Sequence, residues 1–317
     1  MLRKISIRAL RRCLERVDSE GDYSHVHAPL ALWHARRLAA GHRDERPDLE
    51  ALSVLGRFHR YRYRAIGPKS RRDRDIMIWT FAQRLIAGDE SLPSRDALDA
   101  LPQAIDLATD LLVRAGGPGR RPPVERVLSV WRRLHDAVPD DHPERPMVWN
   151  NLRVALLFRF AATRDVTDMD EAVAAARQAV DAASADDPER ALFLRYLGTT
   201  LVTRHERTQV VTDLDEAVAA WREALRIVPA KDTAERSSLS SLLGFALLTR
   251  FLRTKRQADI EDAIVSYRLA TQDANDPDHD KHLSNLATAL TVRADHTGVT
   301  AHREEAEAAQ EPAVRAR

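Results

Sequence analysis

Cys13 is the only thiol in the chain. To act as a nucleophile it would need a neighbouring base to make the thiolate. The residues around it, LRKISIRALRRCLERV, supply arginines but no histidine, and no β-rich segment follows to carry a Cys–His dyad. A lone cysteine also excludes an internal disulfide, a CxxC pair and Cys/His zinc spacings. The densest run of ligand-type side chains is Asp276-Pro277-Asp278-His279-Asp280-Lys281-His282. Two histidines three apart, without a second element, are poor metal ligands, and the run reads as a solvated turn. His25 and His27 do not share a helical face. GxxxxGK[ST], GxGxxG and GxSxG are all missing, so no phosphate cradle or nucleophile elbow is encoded. The run from Gly116 to Pro123, GGPGRRPP, reads as a break between helices, because no helix N-terminus opens directly from its glycines. The chain is therefore expected to be no enzyme, with no catalytic, metal or cofactor residues.

Four arginines stand out by spacing: Arg159, Arg204, Arg250 and Arg293. As an exposed ladder of guanidinium groups they could grip an acidic peptide. As repeat-building residues they would serve helix C-termini and acidic groups of neighbouring turns. The second reading is preferred, since the same arginine recurs whatever surrounds it.

These arginines belong to an internal repeat. Each lies seven residues after an anchor leucine: Leu152, Leu197, Leu243 and Leu286, which are 45, 46 and 43 residues apart. Each anchor has threonine at +11 (Thr163, Thr208, Thr254, Thr297), and three are followed at +17 by MDEA, LDEA or IEDA. Two degraded copies precede them, anchored at Leu107 and Leu55, making six. From Leu214 the apolar residues Ala217, Val218, Trp221, Ala224 and Leu225 fall on one face of a helix. Asp168, Asp213 and Asp259, each with an acidic residue three further on, have capping-box spacing. Each copy is thus a helix pair, and such pairs must stack to bury their apolar faces, giving an all-α solenoid.

Composition agrees. Glycine is 11 of 317 residues and aromatics are 5%, too few for a sandwich or barrel, while charged residues reach 31%. Forty-nine basic against 48 acidic residues leave +1, so no net field recommends nucleic acid or an anionic membrane. Of the basic residues only five are Lys, an excess of Arg that reads as the base composition of a GC-rich gene. No apolar run approaches a membrane span, and the arginines of the N-terminus do not suit a signal peptide. The expected location is cytoplasmic.

The second-helix residues Ala217, Trp221, Ala224 and Pro229, with the first-helix residues Trp149, Leu152, Leu156, Leu197, Gly198 and Leu201, resemble the tetratricopeptide repeat, lengthened by some seven residues between the halves. The long rhythm is similar to arrays of high-GC bacteria that often precede a caspase-like CHAT peptidase domain, and residues 49–66 look like the start of such arrays. The resemblance implies a right-handed superhelix of antiparallel helix pairs. In it Leu152, Leu197, Gly198, Trp221, Leu243, Gly244, Tyr267 and Leu286 define the repeat. It also implies a concave face made by first helices, at −5, −2, +2, +5 and +6 from each anchor. Carried over, the candidates are Asn150, Arg195, Thr199, Thr203, Ser241, Phe245, Thr249, Thr288 and Thr291, beside Val154, Phe158 and Leu248. The clamp by which some relatives hold a C-terminal carboxylate is not reproduced, because Asn150 and Asn151 lack matching partners in the next copy.

The expected organisation is an N-terminal region over 1–92, with a capping helix and one degenerate pair, then the array over 93–311 and a disordered tail over 312–317. The capping stripe is Leu2, Ile5, Ala9, Leu10, Cys13, Leu14 and Val17. Arg303 to Gln310 carries only alanines as apolar residues and reads as a repeat remnant, frayed from about Val299. The expected function is a protein- or peptide-binding scaffold without nucleic-acid or membrane partners. The alternative is the regulatory or substrate-recruiting half of a CHAT peptidase system whose enzyme is separately encoded.

Overall fold

The computed structural model describes residues 2–43, 46–119, 121–305 and 307. Among them every regular element is a helix and no strand occurs. Contacts divide the chain into two compact units, Met1–Thr163 and Arg164–Arg317. The boundary expected at 92/93 falls inside the first unit, in the segment between residues 87 and 94 that joins two of its helices.

The first unit holds α1 (Leu2–Glu20), a 3₁₀ turn (Tyr23–His27), α2 (Pro29–Ala40), α3 (Leu49–Ile66), α4 (Arg71–Ala87), α5 (Ser94–Gly116), α6 (Val124–Ala137) and α7 (Arg145–Thr163). Helix α1 packs on α2 and α3, burying Ile7, Leu10, Leu14 and Val17 in one core with Leu38, Leu55 and Phe58. It covers the first pair, but Leu2 and Ile5 lie outside the buried stripe and are exposed. The Cys13 thiol donates to the His25 carbonyl oxygen at 3.2 Å, and burial pushes its pKa up against the pull of Arg16.

The second unit holds α8 (Val166–Ala182), α9 (Arg190–Thr208), α10 (Thr212–Ile227), α11 (Thr233–Thr254), α12 (Gln257–Ala270) and α13 (His279–Thr297). Residues 300–305 are also helical, so the expected fraying from Val299 is not seen there; Glu305 pairs with both Arg268 and Arg293. Half of the segment from Arg303 to Gln310 and the whole 312–317 tail lie outside the described residues.

Within each unit every helix packs on its successor, and first helices also meet first helices: α5 on α7, α9 on α11, α11 on α13. The pairs are antiparallel. Arg204, near the end of α9, reaches Asp213 at the start of α10, while mid-helix Gly198 faces Trp221. Leu152, Leu197 and Leu243 are buried, as are Trp221 and Tyr267, whereas Leu286 is half-buried.

Asp213 and Asp259 do not cap their helices, contrary to the capping-box spacing. The helices begin one or two residues earlier, at Thr212 and Gln257, so both carboxylates sit inside the first turn. Asp168 likewise lies inside α8, whose N-cap is Asp165, accepting from the Thr167 N–H at 3.0 Å. For Asp213 and Asp259 the reason is the +7 arginine, which takes both carboxylate oxygens. Arg204 donates to Asp213 at 2.9 and 2.6 Å, and Arg250 to Asp259 at 3.0 and 2.7 Å. The remaining nitrogen reaches one copy back, from Arg204 to Asp170 at 3.0 Å and from Arg250 to Asp215 at 2.7 Å. Arg293 similarly reaches Glu261 at 3.1 Å. Each threonine at +11 donates to the carbonyl of this arginine, at 2.8 to 3.0 Å. The residue after it turns left-handed: Arg164, Gln209, Lys255 and Gly298 have φ of 58–66°. Arginine, threonine and left-handed cap together end each first helix.

Candidate functional site

The carried-over residues fall on the first helices, and their exposure sorts them. Asn150 is buried and its Oδ1 accepts from Arg153 at 3.1 Å, so it does not belong to an open face. Thr199, Phe245 and Thr288, all at +2, are exposed on α9, α11 and α13. Thr203, Thr249 and Thr291 are half-buried beside them, as are Arg195 and Ser241.

Each of these threonines spends its hydroxyl proton on its own helix. Thr199, Thr203, Thr249, Thr288 and Thr291 donate to the carbonyl four residues back at 2.8 to 3.0 Å. The donors are therefore satisfied internally, and what a ligand meets is largely methyl groups and the Phe245 ring. The arginine ladder offers no opposing charge. Arg250 and Arg293 are buried in the ion pairs described above, so they build the repeat and are not free to grip an acidic peptide.

One turn toward the N-termini of the same helices, an open cavity of about 700 Å³ lies among α9, the end of α10, the start of α11 and the loop into α13. Arg195 sits at its edge, donating to Glu235 at 2.8 Å and to Ser238 at 3.0 Å. Burial raises the Glu235 carboxyl above the usual carboxylate range; Arg195 opposes this and Asp232 adds to it. Asp276, Asp278 and His282 also line it. The Asp276 side chain is 8% exposed; its Oδ1 accepts from the Asp278 N–H at 2.8 Å and its Oδ2 lies 3.5 Å from His282 Nε2. His282 is 3% exposed, and neither ring nitrogen makes a hydrogen bond among the described residues.

The run 276–282 is thus not wholly a solvated turn, since His282 is buried and the Asp276 side chain beside it is largely covered. The signal for this lay in the register. Position −4 holds Val148, Phe193 and Leu239 in the preceding copies, all buried, and the last copy places His282 there. Among the described residues no three His, Cys, Asp or Glu side chains converge as metal ligands, and no helix is long and apolar enough to cross a membrane. Comparison with protein-family models and with curated proteins finds no match for this chain.

Proposed function

We propose that the chain is a non-catalytic scaffold of tetratricopeptide-like repeats, its helix pairs continuing as a right-handed solenoid, which binds a polypeptide on the face of its first helices. The observation that carries this reading is the row Thr199, Phe245 and Thr288. The same register position is open on three successive first helices, with hydroxyls already satisfied and a 41% exposed aromatic ring at the centre. A face with apolar contact area and few unpaired donors suits a peptide whose own backbone is satisfied or solvated. Selection of random peptides against the intact chain tests it. Enrichment should occur on the native protein and be lost on Phe245→Glu/Thr288→Glu, whose helix content should be unchanged. Equal enrichment on both, or none on either, would refute the face. The solenoid itself is tested by small-angle scattering, which should give a radius of gyration well above the roughly 20 Å of a compact 317-residue globule.

A further inference from the structure

The structure points to the cavity beside His282 as a cation subsite of that face, one that takes the lysine or arginine side chain of a bound polypeptide. This rests on the scaffold reading for the polypeptide, but the preference for a cation stands on the cavity's own residues.

Three observations converge. The first is charge: four carboxylates, Asp232, Glu235, Asp276 and Asp278, line the cavity against one guanidinium, Arg195. That guanidinium is already engaged by Glu235 and Ser238, so it does not invite an anion. The second is His282. A buried imidazole without a hydrogen bond is a cost that needs an account, and the other copies show that an apolar residue fills this position. Asp276 Oδ2, 3.5 Å from its Nε2, keeps lone pairs that the backbone partner of this carboxylate leaves unused, because Asp278 N–H bonds Oδ1. A cationic donor arriving at Asp276 would complete the carboxylate and bring a polar partner toward the imidazole.

The third is continuity. Arg195, Thr199 and Thr203 stand one turn apart on α9 and are joined by hydroxyl-to-carbonyl hydrogen bonds of 3.0 and 2.8 Å. The edge of the cavity is therefore the beginning of the threonine row. A chain lying along that row can place one long side chain into the cavity. The aliphatic stem of lysine or arginine would pass Leu192, Ala191 and Pro229 before its charge reaches the carboxylates.

The test uses the intact chain with N-acetyl-arginine amide, N-acetyl-lysine amide, and the glutamine and glutamate counterparts. They are followed by titration calorimetry and by the His282 imidazole NMR signal. Both cations should bind saturably with Kd of about 1–10 mM, the range for a fragment of this size. Both should shift the His282 signal, and the neutral and acidic amides should not. Glu235→Gln and Asp278→Asn should each weaken the cations at least fivefold. His282→Leu restores the residue class of the other copies, so it should fold, melt higher and still bind the cations more weakly. Equal response to the glutamine amide, preference for the glutamate amide, or undiminished binding by all three variants would overturn the subsite. Peptides that flank the cation with apolar residues should bind at least tenfold tighter than the amides, and Phe245→Glu should abolish that gain. Amides that match every flanked peptide would assign the cavity to a small cation and overturn the peptide part. Peptides selected on the face without any Lys or Arg would overturn the subsite while leaving the scaffold standing.

Discussion

Arg250 shows why one side chain can recur without being a ligand-binding residue. It is 8% exposed and holds Asp259, 2% exposed, through two hydrogen bonds, with Asp215 on its third nitrogen. Hydrogen bonding to Asp259 raises the Arg250 pKa, against the burial that would lower it. Removing one partner of such a buried pair strands the other charge, so Arg250→Met should cost about 3–5 kcal/mol in urea unfolding. Replacing both residues, as Arg250→Met/Asp259→Leu, should recover much of that. Arg222→Ala is the control: its pair with Asp262 is about half exposed on both sides and should contribute less than about 1 kcal/mol. In the first unit, Arg62 and His59 share Asp73, at 2.9 and 2.6 Å. Burial lowers the His59 pKa below 6.5, with Asp73 opposing. Burial would raise the Asp73 carboxyl, but Ser70, His59 and Arg62 outweigh it and lower the pKa below 3.8. The signs then follow. Well above pH 6.5, His59 is neutral folded or unfolded; as pH falls through that value the unfolded chain gains a proton the folded one refuses, and stability declines. A second decline sets in below pH 3.8, where Asp73 of the unfolded chain protonates first. An NMR titration placing His59 at or above 6.5, or a urea midpoint that rises on acidification, would contradict this.

A helix pair is held together by how closely its two members approach, and glycine at +1 sets that distance. A Cβ on Gly198 would lie 2.4 Å from the Trp221 ring, one on Gly244 2.9 Å from Tyr267, and one on Gly56 2.8 Å from Phe81. Trp221 is fixed further by its indole N–H, which donates to the Arg195 carbonyl at 3.1 Å. Gly198→Ala should therefore destabilise by about 1–3 kcal/mol through overpacking, despite the higher helix propensity of alanine. Gly198→Ala/Trp221→Leu should regain part of the loss, because the ring that clashes is gone. If Gly198→Ala alone stabilises the protein, the close approach is not what positions these helices. The helices themselves were legible because the apolar period, the +7 arginine and the +11 threonine repeat at one offset. Their joints were less legible. The acid at +16 has the spacing of a cap, yet the arginine claims it. A second arginine row, Arg145, Arg190 and Arg236 at −7, was hidden in a composition that reads as gene bias. Arg190 and Arg236 each donate to two carbonyls at the end of the preceding second helix, at 2.7 to 3.1 Å. Of the candidate face, the exposed threonines and Phe245 follow from the register alone. The cavity does not, because its walls come from three different copies and its buried histidine looks like loop composition when read along the chain.

The same locality governs the whole molecule. Within each unit, every contacting pair of described helices is at most two helices apart in sequence. Loop closure therefore costs little at any step, and no distant strand or helix must be found before a neighbour can dock. A chain built this way loses stability locally, since each helix pair is secured chiefly by its own joint and by those on either side. Leu247, wholly buried in α11, is a probe for this. Leu247→Ala should cost about 2–5 kcal/mol from lost transfer energy and the cavity left behind. Hydrogen exchange should then accelerate in α10, α11 and α12, which share direct contacts with or through α11. The effect should weaken in α9 and α13, which touch α11 more lightly, and leave α3 and α4 as protected as before. Exchange that rises equally across all these helices would mean that the chain opens as one cooperative body, and the nearest-neighbour account of its stability would have to be abandoned.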